Sequence, residues 1–456
     1  MANLPIEIMY LLVLLVVISI VFVLLKRPIY EAMFIGFLVM IGVTGQYSKL
    51  IYYIIKPSTS TLFYAIVAFL ILAFIFGQTN VINSVINFIL ALVGRFKGGA
   101  GYVSLISSTF MAALSGTGAG NVAATGVFTI PTMMRTGFPP QLAACVEMSA
   151  SSLGPMIPPS GTILLAFAVL DGLYPGTHAL STFWMAVWGI GLWFVVQRAI
   201  TLWGFSKYYQ VQPMPAAEIP NLVQTVKEGW PALLVPLLIF LPLYLDFKFN
   251  SSFFFSRLGK TGAKAFSDSV ILFTPGLAAA YALVIARKNI PGGGSFINLY
   301  RMFKGAVKGV VPVAATIYIA YSISYLFGDL KVGAAMGQYI QSLGMNSWQL
   351  AIFIPVFTCF LGMVLPGSSQ VVIFGAGIVG SLAAMGVNPL LAAAILPAIT
   401  GALEGMTPPL ALCMYTAMGI SGSGLVETSK NALIWVFIHL IFAILILMGL
   451  LPVLWI

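Results

Sequence analysis

The sequence predicts an all-α membrane protein that crosses the bilayer many times. Of its 456 residues, 60% are hydrophobic and only 7% are charged, whereas soluble domains carry about 25% charged residues. Apolar runs of near-spanning length recur at Ile8–Leu25, Thr61–Phe76, Trp230–Leu245 and Ala432–Ile456, and such runs are typical of membrane helices. A β-barrel would show short alternating strands instead.

The charges and the reactive side chains exclude several function classes. The net charge of +10 reflects basic residues in loops, where they set membrane orientation, and it does not indicate nucleic-acid binding. Cys145, Cys359 and Cys413 lie in apolar segments without the spacing of a metal site. Because His178 and His439 stand alone in the sequence, no catalytic pair is visible and no enzyme activity is expected.

Two segments interrupt the apolar pattern in the first half. They are SGTGAGNVAATG, at Ser115–Gly126, and the later PMIPP. Non-helical backbone at membrane depth is tolerated only inside protein or beside a water-filled cavity. We therefore predict a re-entrant hairpin of two short helices, over residues 100–115 and 122–134, with its tip at Gly116–Asn121. A membrane span broken at Gly154–Ser160, around PMIPP, follows it.

A second pair of interruptions lies 250 residues further along the chain. GMTPP at Gly405–Pro409 matches PMIPP, and PGSSQ at Pro366–Gln370 matches the first tip at the same offset. The second hairpin is predicted over residues 349–364 and 370–385, and its broken span is interrupted at Glu404–Pro409. The chain is thus predicted to contain two internal repeats, which are typical of secondary transporters.

The basic residues indicate that the two repeats have inverted topology. Arg95, Lys97 and Arg135 flank the first hairpin, whereas few basic residues flank the second, and basic loops stay in the cytoplasm. An odd number of crossings between the hairpins gives the same inversion. The five predicted crossings cover residues 139–173, 182–203, 229–245, 269–285 and 309–328. Both chain termini are then periplasmic.

Two connecting segments are predicted at the membrane surface. Residues 204–228 link the repeats and are interpreted as an amphipathic segment on the cytoplasmic side. Asp246–Asp268 carries four basic residues, which would suit the cytoplasm, but the five crossings make it an external loop.

The interruptions are suited to binding ions and an anionic solute. Broken helices leave carbonyl groups at one helix end and N–H groups at the next, which attract sodium and anions respectively. Glu147 and Glu404 lie on the broken spans, and an ionisable residue at this depth is a functional candidate. Glu147 has a second interpretation, as a hydrogen-bond partner of a neighbouring helix. Spaced glycines also pack membrane helices, but their paired occurrence beside Pro-Pro breaks favours a transport site.

These segments resemble a known family. SGTGAGNVAATGVFTIPTMMRTGFPP, SSLGPMIPPSG and LEGMTPP are similar to segments of the large membrane subunit of tripartite ATP-independent periplasmic (TRAP) transporters, and the resemblance covers nearly the whole chain. It implies an elevator-type architecture, in which a transport domain with both hairpins carries substrate past a fixed scaffold. It also implies sodium coupling, a small four-helix membrane subunit and a soluble periplasmic substrate-binding protein as partners, and neither a cofactor nor a transition metal.

The resemblance also assigns residues to the sites. Sodium site 1 falls on Gly116, Thr117, Asn121, Gly154 and Pro155. Sodium site 2 falls on Pro366, Gly367, Ser368, Met406 and Thr407. The substrate is expected between them, at Ser115, Ser152, Ser160, Ser369 and Glu404. No Arg or Lys lies in either motif, so helix N-termini, hydroxyl groups and sodium are expected to hold an anionic substrate.

The predicted function is sodium-coupled uptake of a small anionic organic solute across a bacterial inner membrane. The predicted parts are residues 1–94 (scaffold helices of the first repeat), 95–173 (its hairpin and broken span), 174–228 (its last span and the linker), 229–330 (scaffold helices of the second repeat), 331–430 (its hairpin and broken span) and 431–456 (the last span). The alternative is a stand-alone sodium/dicarboxylate symporter without a binding protein, although such carriers have Ser-Asn-Thr tips that this chain lacks. A channel is disfavoured, because two inverted hairpins of one chain do not suit an ion filter.

Overall fold

The regular structure of the described chain is helical. The structure is a computed structural model, and it describes residues 5–79, 81–115, 118–287, 295–332, 335, 338–339, 342, 344–363, 365–408 and 410–456. Within these ranges seven helical segments are long and apolar enough to cross a membrane, or eight if one bent pair counts as a span. The prediction of an all-α protein with many membrane spans agrees with this structure.

Five short or medium helices precede the first predicted hairpin. They are α1 (Ile6–Ser19), α2 (Ile29–Thr44), α3 (Leu50–Ile55), α4 (Thr61–Gly77) and α5 (Val81–Val93). The predicted first span, Ile8–Leu25, corresponds to α1 and a π-helical turn at Ile20–Leu24 that continues it. Because Glu7 in the first turn is the only charged residue of α1, the rest of the helix suits contact with lipid and protein rather than water.

Two packed helices form the first predicted hairpin. They are α6 (Gly99–Ser115) and α7 (Gly118–Arg135). The predicted tip, Gly116–Asn121, is corrected: α7 already begins at Gly118, and Asn121 lies in its first turn, while Gly116 and Thr117 lie outside the described residues. In a helix the backbone N–H and C=O groups bond to each other. A buried segment therefore avoids unpaired backbone groups when it stays helical as far as packing allows.

The first broken span is interrupted where the sequence predicts. Helix α8 (Pro140–Ser151) ends before a 3-10 turn at Gly154–Met156, and α9 (Gly161–Leu173) begins just after Pro158 and Pro159. Proline lacks the N–H group that continues a helix. The PMIPP sequence therefore ends regular backbone pairing at this point.

A second packed pair of helices lies in the second half of the chain. Helices α14 (Ser347–Gly362) and α15 (Gly367–Ala384) form the second packed pair. The predicted second tip, Pro366–Gln370, is corrected in the same way, because α15 begins at Gly367 and includes Gln370.

The second broken span has more interruptions than the sequence analysis predicted. It comprises α16 (Pro389–Ala394), α17 (Leu396–Ile399) and α18 (Gly401–Glu404), and it resumes as α19 (Leu412–Ser421). The main gap follows Glu404, as predicted. Pro397 and Gly401 account for the extra breaks, because proline removes a backbone donor and glycine weakens a helix.

Long helices make up the rest of the described chain. They are α10 (Leu180–Tyr208), α11 (Leu222–Phe249), α12 (Phe255–Ile285), α13 (Phe296–Asp329) and α20 (Leu425–Leu447). The five crossings predicted between the hairpins match five of the apolar segments: Pro140–Leu173, Leu180–Tyr208, Ala216–Phe249, Ser252–Ile285 and Val310–Asp329. The predicted amphipathic linker, residues 204–228, is corrected: α10 and α11 extend into it and leave a single 3-10 turn at Ala216–Glu218 between them.

The predicted external loop at Asp246–Asp268 is helical instead. The end of α11, a π-helical turn and the start of α12 cover it, with a kink at Gly259, where φ is 67°. Asp246 is 1% exposed, and its carboxylate accepts hydrogen bonds from Ser267 at 2.6 Å and Asn250 at 2.9 Å. Polar residues that suggested a loop in the sequence therefore pack between α11 and α12.

Burial separates the interior elements from those at the periphery. Of the most apolar 18-residue stretch in Pro140–Leu173, 89% is buried inside the protein, and in Gly367–Ala384 the buried share is 72%. In Ala216–Phe249 and Ser252–Ile285 it is only 28%. The first broken span and α15 thus lie inside the protein, and α11 and α12 face outward, as lipid contact requires.

Candidate functional site

Glu147 lies at the centre of a cluster of hydroxyl groups. Its side chain is fully buried on α8. Five hydroxyl groups donate to its carboxylate: Ser108, Thr125 and Ser151 to Oε1 at 2.8, 2.6 and 2.9 Å, and Ser104 and Thr129 to Oε2 at 2.6 Å each. Each carboxylate oxygen can accept more than one hydrogen bond, so the two oxygens satisfy all five donors. The donors belong to α6, α7 and α8, so Glu147 joins the first helix pair to the first broken span.

Asn121 lies beside the hydroxyl cluster. Its side chain is fully buried, and Nδ2 donates to the backbone oxygen of Ser108 at 2.8 Å and to Oγ of Ser151 at 3.1 Å. Its Oδ1 atom has no hydrogen-bond partner within the described part of the chain. Leaving a buried polar atom unpaired costs about 1–3 kcal/mol, so this oxygen is suited to receive a ligand.

Gln370 repeats this arrangement in the second helix pair. Asn121 and Gln370 are each the fourth residue of their helix, α7 and α15 respectively. Gln370 is fully buried, and its Nε2 donates to the backbone oxygen of Leu365 at 3.0 Å. Its Oε1 is likewise without a partner among the described residues. Both amides therefore donate to a backbone carbonyl of their own helix pair and present an unpaired oxygen.

The side chain of Glu404, on α18, lies at the N-terminus of α15. The backbone N–H of Gly367 donates to Oε2 of Glu404, and a helix N-terminus carries a partial positive charge that favours a carboxylate. The backbone N–H of Leu410 donates to the carbonyl oxygen of Met363 at 3.1 Å. These two bonds join the second helix pair to the second break.

The two breaks contact each other and both helix pairs through glycine residues. A Cβ added at Gly367 would lie 2.2 Å from Cα of Gly401, and one added at Gly401 would lie 2.5 Å from Cβ of Pro155. A Cβ at Gly118 would lie 2.3 Å from Sγ of Cys413. Side chains do not fit at these distances, so the glycines permit close approach. Gly367 and Pro155, predicted at different sodium sites, thus lie on either side of Gly401.

Three predicted hydroxyl groups bond to the backbone of the breaks themselves. Ser152 donates to the carbonyl oxygen of Ser149 at 2.7 Å, Ser160 to Pro155 at 3.0 Å, and Thr407 to Leu403 at 2.9 Å. All three side chains are buried. Each hydroxyl proton is therefore donated to a carbonyl oxygen, and the lone pairs of the hydroxyl oxygen face outward from that bond, where a cation could bind them.

The remaining predicted residues differ in their surroundings. Ser369 is fully buried, and its hydroxyl lies 3.4 Å from Sδ of Met33 on α2. Met406 is buried at the second break, and Pro366 and Ser368 are half-buried at the start of α15. The side chain of Ser115 lies outside the described residues, as do Gly116 and Thr117.

A buried arginine at the first break was missed by the sequence analysis. Arg198 on α10 is 1% exposed, and its Nη2 donates to Oγ of Ser152 at 2.9 Å. The signal was present, because Arg198 lies within the predicted crossing at residues 182–203, and a charge inside a span is a functional candidate. Arg198 lies outside the two tip and break motifs, which themselves contain no Arg or Lys.

A cavity reaches the hydroxyl cluster from one side. It has a volume of about 520 Å³, lies between α5, α6 and α7, and its polar lining includes Asn87, Thr129, Thr132 and Arg135. Thr129 lines this cavity and also donates to Glu147, so one side chain links the cavity to the buried carboxylate.

Comparisons with known proteins identify the family of the chain. The family model described as "Tripartite ATP-independent periplasmic transporter, DctM component" matches residues 8–454. The C4-dicarboxylate TRAP transporter large permease protein DctM of Rhodobacter capsulatus is 24% identical over 389 residues, which cover 80% of each chain. The ectoine TRAP transporter large permease protein TeaC of Halomonas elongata is 22% identical over 427 residues, which cover 92% of each chain.

A solved structure shows a similar fold. The YdaH transporter of Alcanivorax borkumensis matches with a TM-score of 0.62 at 12% sequence identity, over 90% of this chain and 89% of that one. At this identity the likeness concerns the fold alone. The family match, by contrast, extends over nearly the whole sequence, and the chain belongs to the DctM component family of TRAP transporters, as the large membrane permease of a secondary solute uptake system.

Proposed function

We propose that this permease couples solute uptake to sodium ions bound at two amide oxygens, Oδ1 of Asn121 and Oε1 of Gln370. Sodium in transporters is held by protein oxygens at the ends of interrupted helices. Both oxygens are buried and unpaired within the described chain, and each lies in the first turn of a helix beside a break. This matched pair of unpaired oxygens is the observation that carries the proposal. The predicted residues Gly154, Pro155 and Thr407 provide further oxygens at the two breaks.

Glu147 supplies a compensating charge for the first ion. The hydroxyl of Ser151 lies 2.9 Å from Oε1 of Glu147 and 3.1 Å from Nδ2 of Asn121. The carboxylate is thus one hydroxyl group away from the amide, and attraction between opposite charges is strong in a low-dielectric interior. An ion beside Asn121 offsets a buried negative charge, which lowers the cost of moving the loaded site through the membrane.

The proposed substrate is a small anionic organic solute. The names of three relatives refer to C4-dicarboxylate, ectoine and isethionate transport. Within this chain, the N-terminus of α15 binds the carboxylate of Glu404, which supports the idea that a helix N-terminus can hold an anionic group. A substrate between the two ions would meet partial positive charge from such helix ends.

Two inverted repeats and an elevator movement are also proposed. The order of helix pair, broken span and last span occurs twice, at α6–α10 and at α14–α20. Five apolar segments lie between the two pairs, and an odd number of crossings inverts the second. In the proposed movement, the transport domain carries the substrate and the sodium ions across together. Each net charge moved gains about 2.3 kcal/mol per 100 mV of membrane potential.

The proposed complex lies at a bacterial inner membrane, and it includes two further proteins. A small four-helix membrane subunit supports the scaffold, and a soluble periplasmic protein delivers the substrate. Arg95, Lys97 and Arg135 at the open end of the first helix pair support a cytoplasmic location for that end. Both termini of the chain are then periplasmic.

Reconstitution in proteoliposomes tests this proposal. The permease, the small subunit and the binding protein are combined, and uptake of a radiolabelled panel of organic acids is measured with an inward sodium gradient or an equal potassium gradient. We expect uptake only with sodium and with the binding protein. Equal uptake with potassium would refute sodium coupling, and sodium-driven uptake by the permease alone would favour the stand-alone symporter.

A further inference from the structure

Arg198 and His439 form a buried polar pair between α10 and α20. Nη1 of Arg198 lies 3.3 Å from Nδ1 of His439, and the two residues are 1% and 0% exposed. Within the described residues, no carboxylate lies at ion-pair distance from Arg198. A buried charge without an ionic partner must be held by neutral acceptors.

Arg198 binds the end of the first broken span. Its Nε donates to the carbonyl oxygen of Ser149 at 2.7 Å, and its Nη2 donates to Oγ of Ser152 at 2.9 Å. Ser149 lies in the last turn of α8, where the carbonyl groups carry the partial negative charge of the helix. The guanidinium group therefore caps α8 at the first break.

His439 binds the second broken span. Its Nε2 lies 2.9 Å from the carbonyl oxygen of Ala398 on α17. A carbonyl oxygen only accepts and a guanidinium group only donates, so Nε2 carries the hydrogen and Nδ1 accepts from Arg198. The ring also stacks on Phe194 of α10, with 4.2 Å between the ring centroids, which fixes its plane.

These contacts make one ordered chain of hydrogen bonds between the two broken spans. It runs from the carbonyl of Ser149 through Arg198 and His439 to the carbonyl of Ala398, and it is separate from the glycine contacts at the breaks. We propose that Arg198 and His439 are positioning residues that hold the two breaks in register, so that sodium bound at one break raises the affinity for sodium at the other. This inference rests on the proposed sodium coupling.

The test is the sodium dependence of uptake by the complete transporter carrying His439→Phe. Phenylalanine retains the stack on Phe194 but can neither accept from Arg198 nor donate to Ala398. We expect the Hill coefficient for sodium to fall to one and half-saturating sodium to rise about fivefold or more, with the maximal rate largely retained. The matched control is His178→Phe, at a half-buried histidine between α9 and α10, which should leave the sodium response unchanged.

Conservative variants separate positioning from general stability. His439→Gln restores one donor and one acceptor and should recover part of the cooperativity. If His439→Phe does not fold, as judged by size-exclusion chromatography, Arg198→Lys replaces it as the test, because a single ammonium group cannot contact Ser149 and His439 together. The same fall in the Hill coefficient is expected.

Several outcomes would overturn the inference. A reduced maximal rate with an unchanged Hill coefficient would show a merely structural role for the pair. A Hill coefficient of one in the unmodified transporter would remove the cooperativity that the pair is proposed to transmit. Uptake that does not depend on sodium at all would refute the proposed function itself, so the two failures are distinguishable.

Discussion

Replacing Glu147 with glutamine tests the hydroxyl cluster that joins the first helix pair to the first broken span. Glutamine has the same shape but places an NH₂ donor where one carboxylate oxygen accepts. Three hydroxyl groups contact Oε1 and two contact Oε2, so at least two of the five lose their acceptor, and the others lose a charged one. Hydrogen bonds to charged groups contribute about 1.5–3 kcal/mol each. We expect two lost bonds of this kind to lower the free energy of unfolding by about 3–6 kcal/mol.

The buried cysteines provide the assay for this variant. Cys145, Cys359 and Cys413 are free and buried, so a thiol-reactive fluorophore reports unfolding. For a chain of this length the midpoint should fall by roughly 1–2 °C per kcal/mol, from the scaling of unfolding entropy with size. Glu427→Gln, at an exposed position on α20, is the matched control and should change stability by less than about 0.5 kcal/mol. Equal midpoints for the two variants would refute the view that the Glu147 carboxylate holds the hydroxyl cluster together.

Three other changes test packing and the outer helices. Gly367→Ala places a Cβ 2.2 Å from Gly401 and should abolish uptake, whereas Gly276→Ala, whose Cβ would meet nothing within 4 Å, should retain it; similar uptake by both would contradict the close approach. Asp246→Asn should destabilise by about 1–3 kcal/mol in the thiol assay without changing half-saturating sodium, and a shifted sodium response would contradict its placement outside the ion sites. Lys49→Met removes an exposed ion pair of 2.8 Å and should cost less than about 1 kcal/mol, so a larger loss would contradict a solvent-screened pair.

The breaks in the membrane spans were predictable because their cause is local. A proline removes a backbone donor, and PMIPP places three prolines within five residues, whereas the prolines inside α11 are spaced further apart and the helix continues through them. The helix pairs were predictable in position but not in detail. Glycine and small polar residues are compatible with both an open tip and the first turn of a helix, and packing against Cys413 and Gly401 decides for the helix.

The long-range contacts of the site were beyond sequence reasoning. Gln370 becomes comparable with Asn121 only once the helix starts at Gly118 and Gly367 are known. The pairing of Arg198 with His439 joins residues on two helices far apart in the chain, and no local pattern indicates it. The helix at Asp246–Asp268 was missed because its charges suggested a loop, whereas tertiary packing buries Asp246.

The proposed sodium ligands are the amide oxygens of Asn121 and Gln370. The most direct measurement is the thermal midpoint of the purified permease as sodium replaces choline at constant ionic strength. A ligand that binds only the folded chain stabilises it by about 2.7 kcal/mol at a hundred times its dissociation constant. We predict that sodium raises the midpoint of the unmodified chain but not that of the Asn121→Ala, Gln370→Ala double variant. An equal sodium-dependent rise in both proteins, or no rise in the unmodified chain, would contradict sodium binding at these two amides.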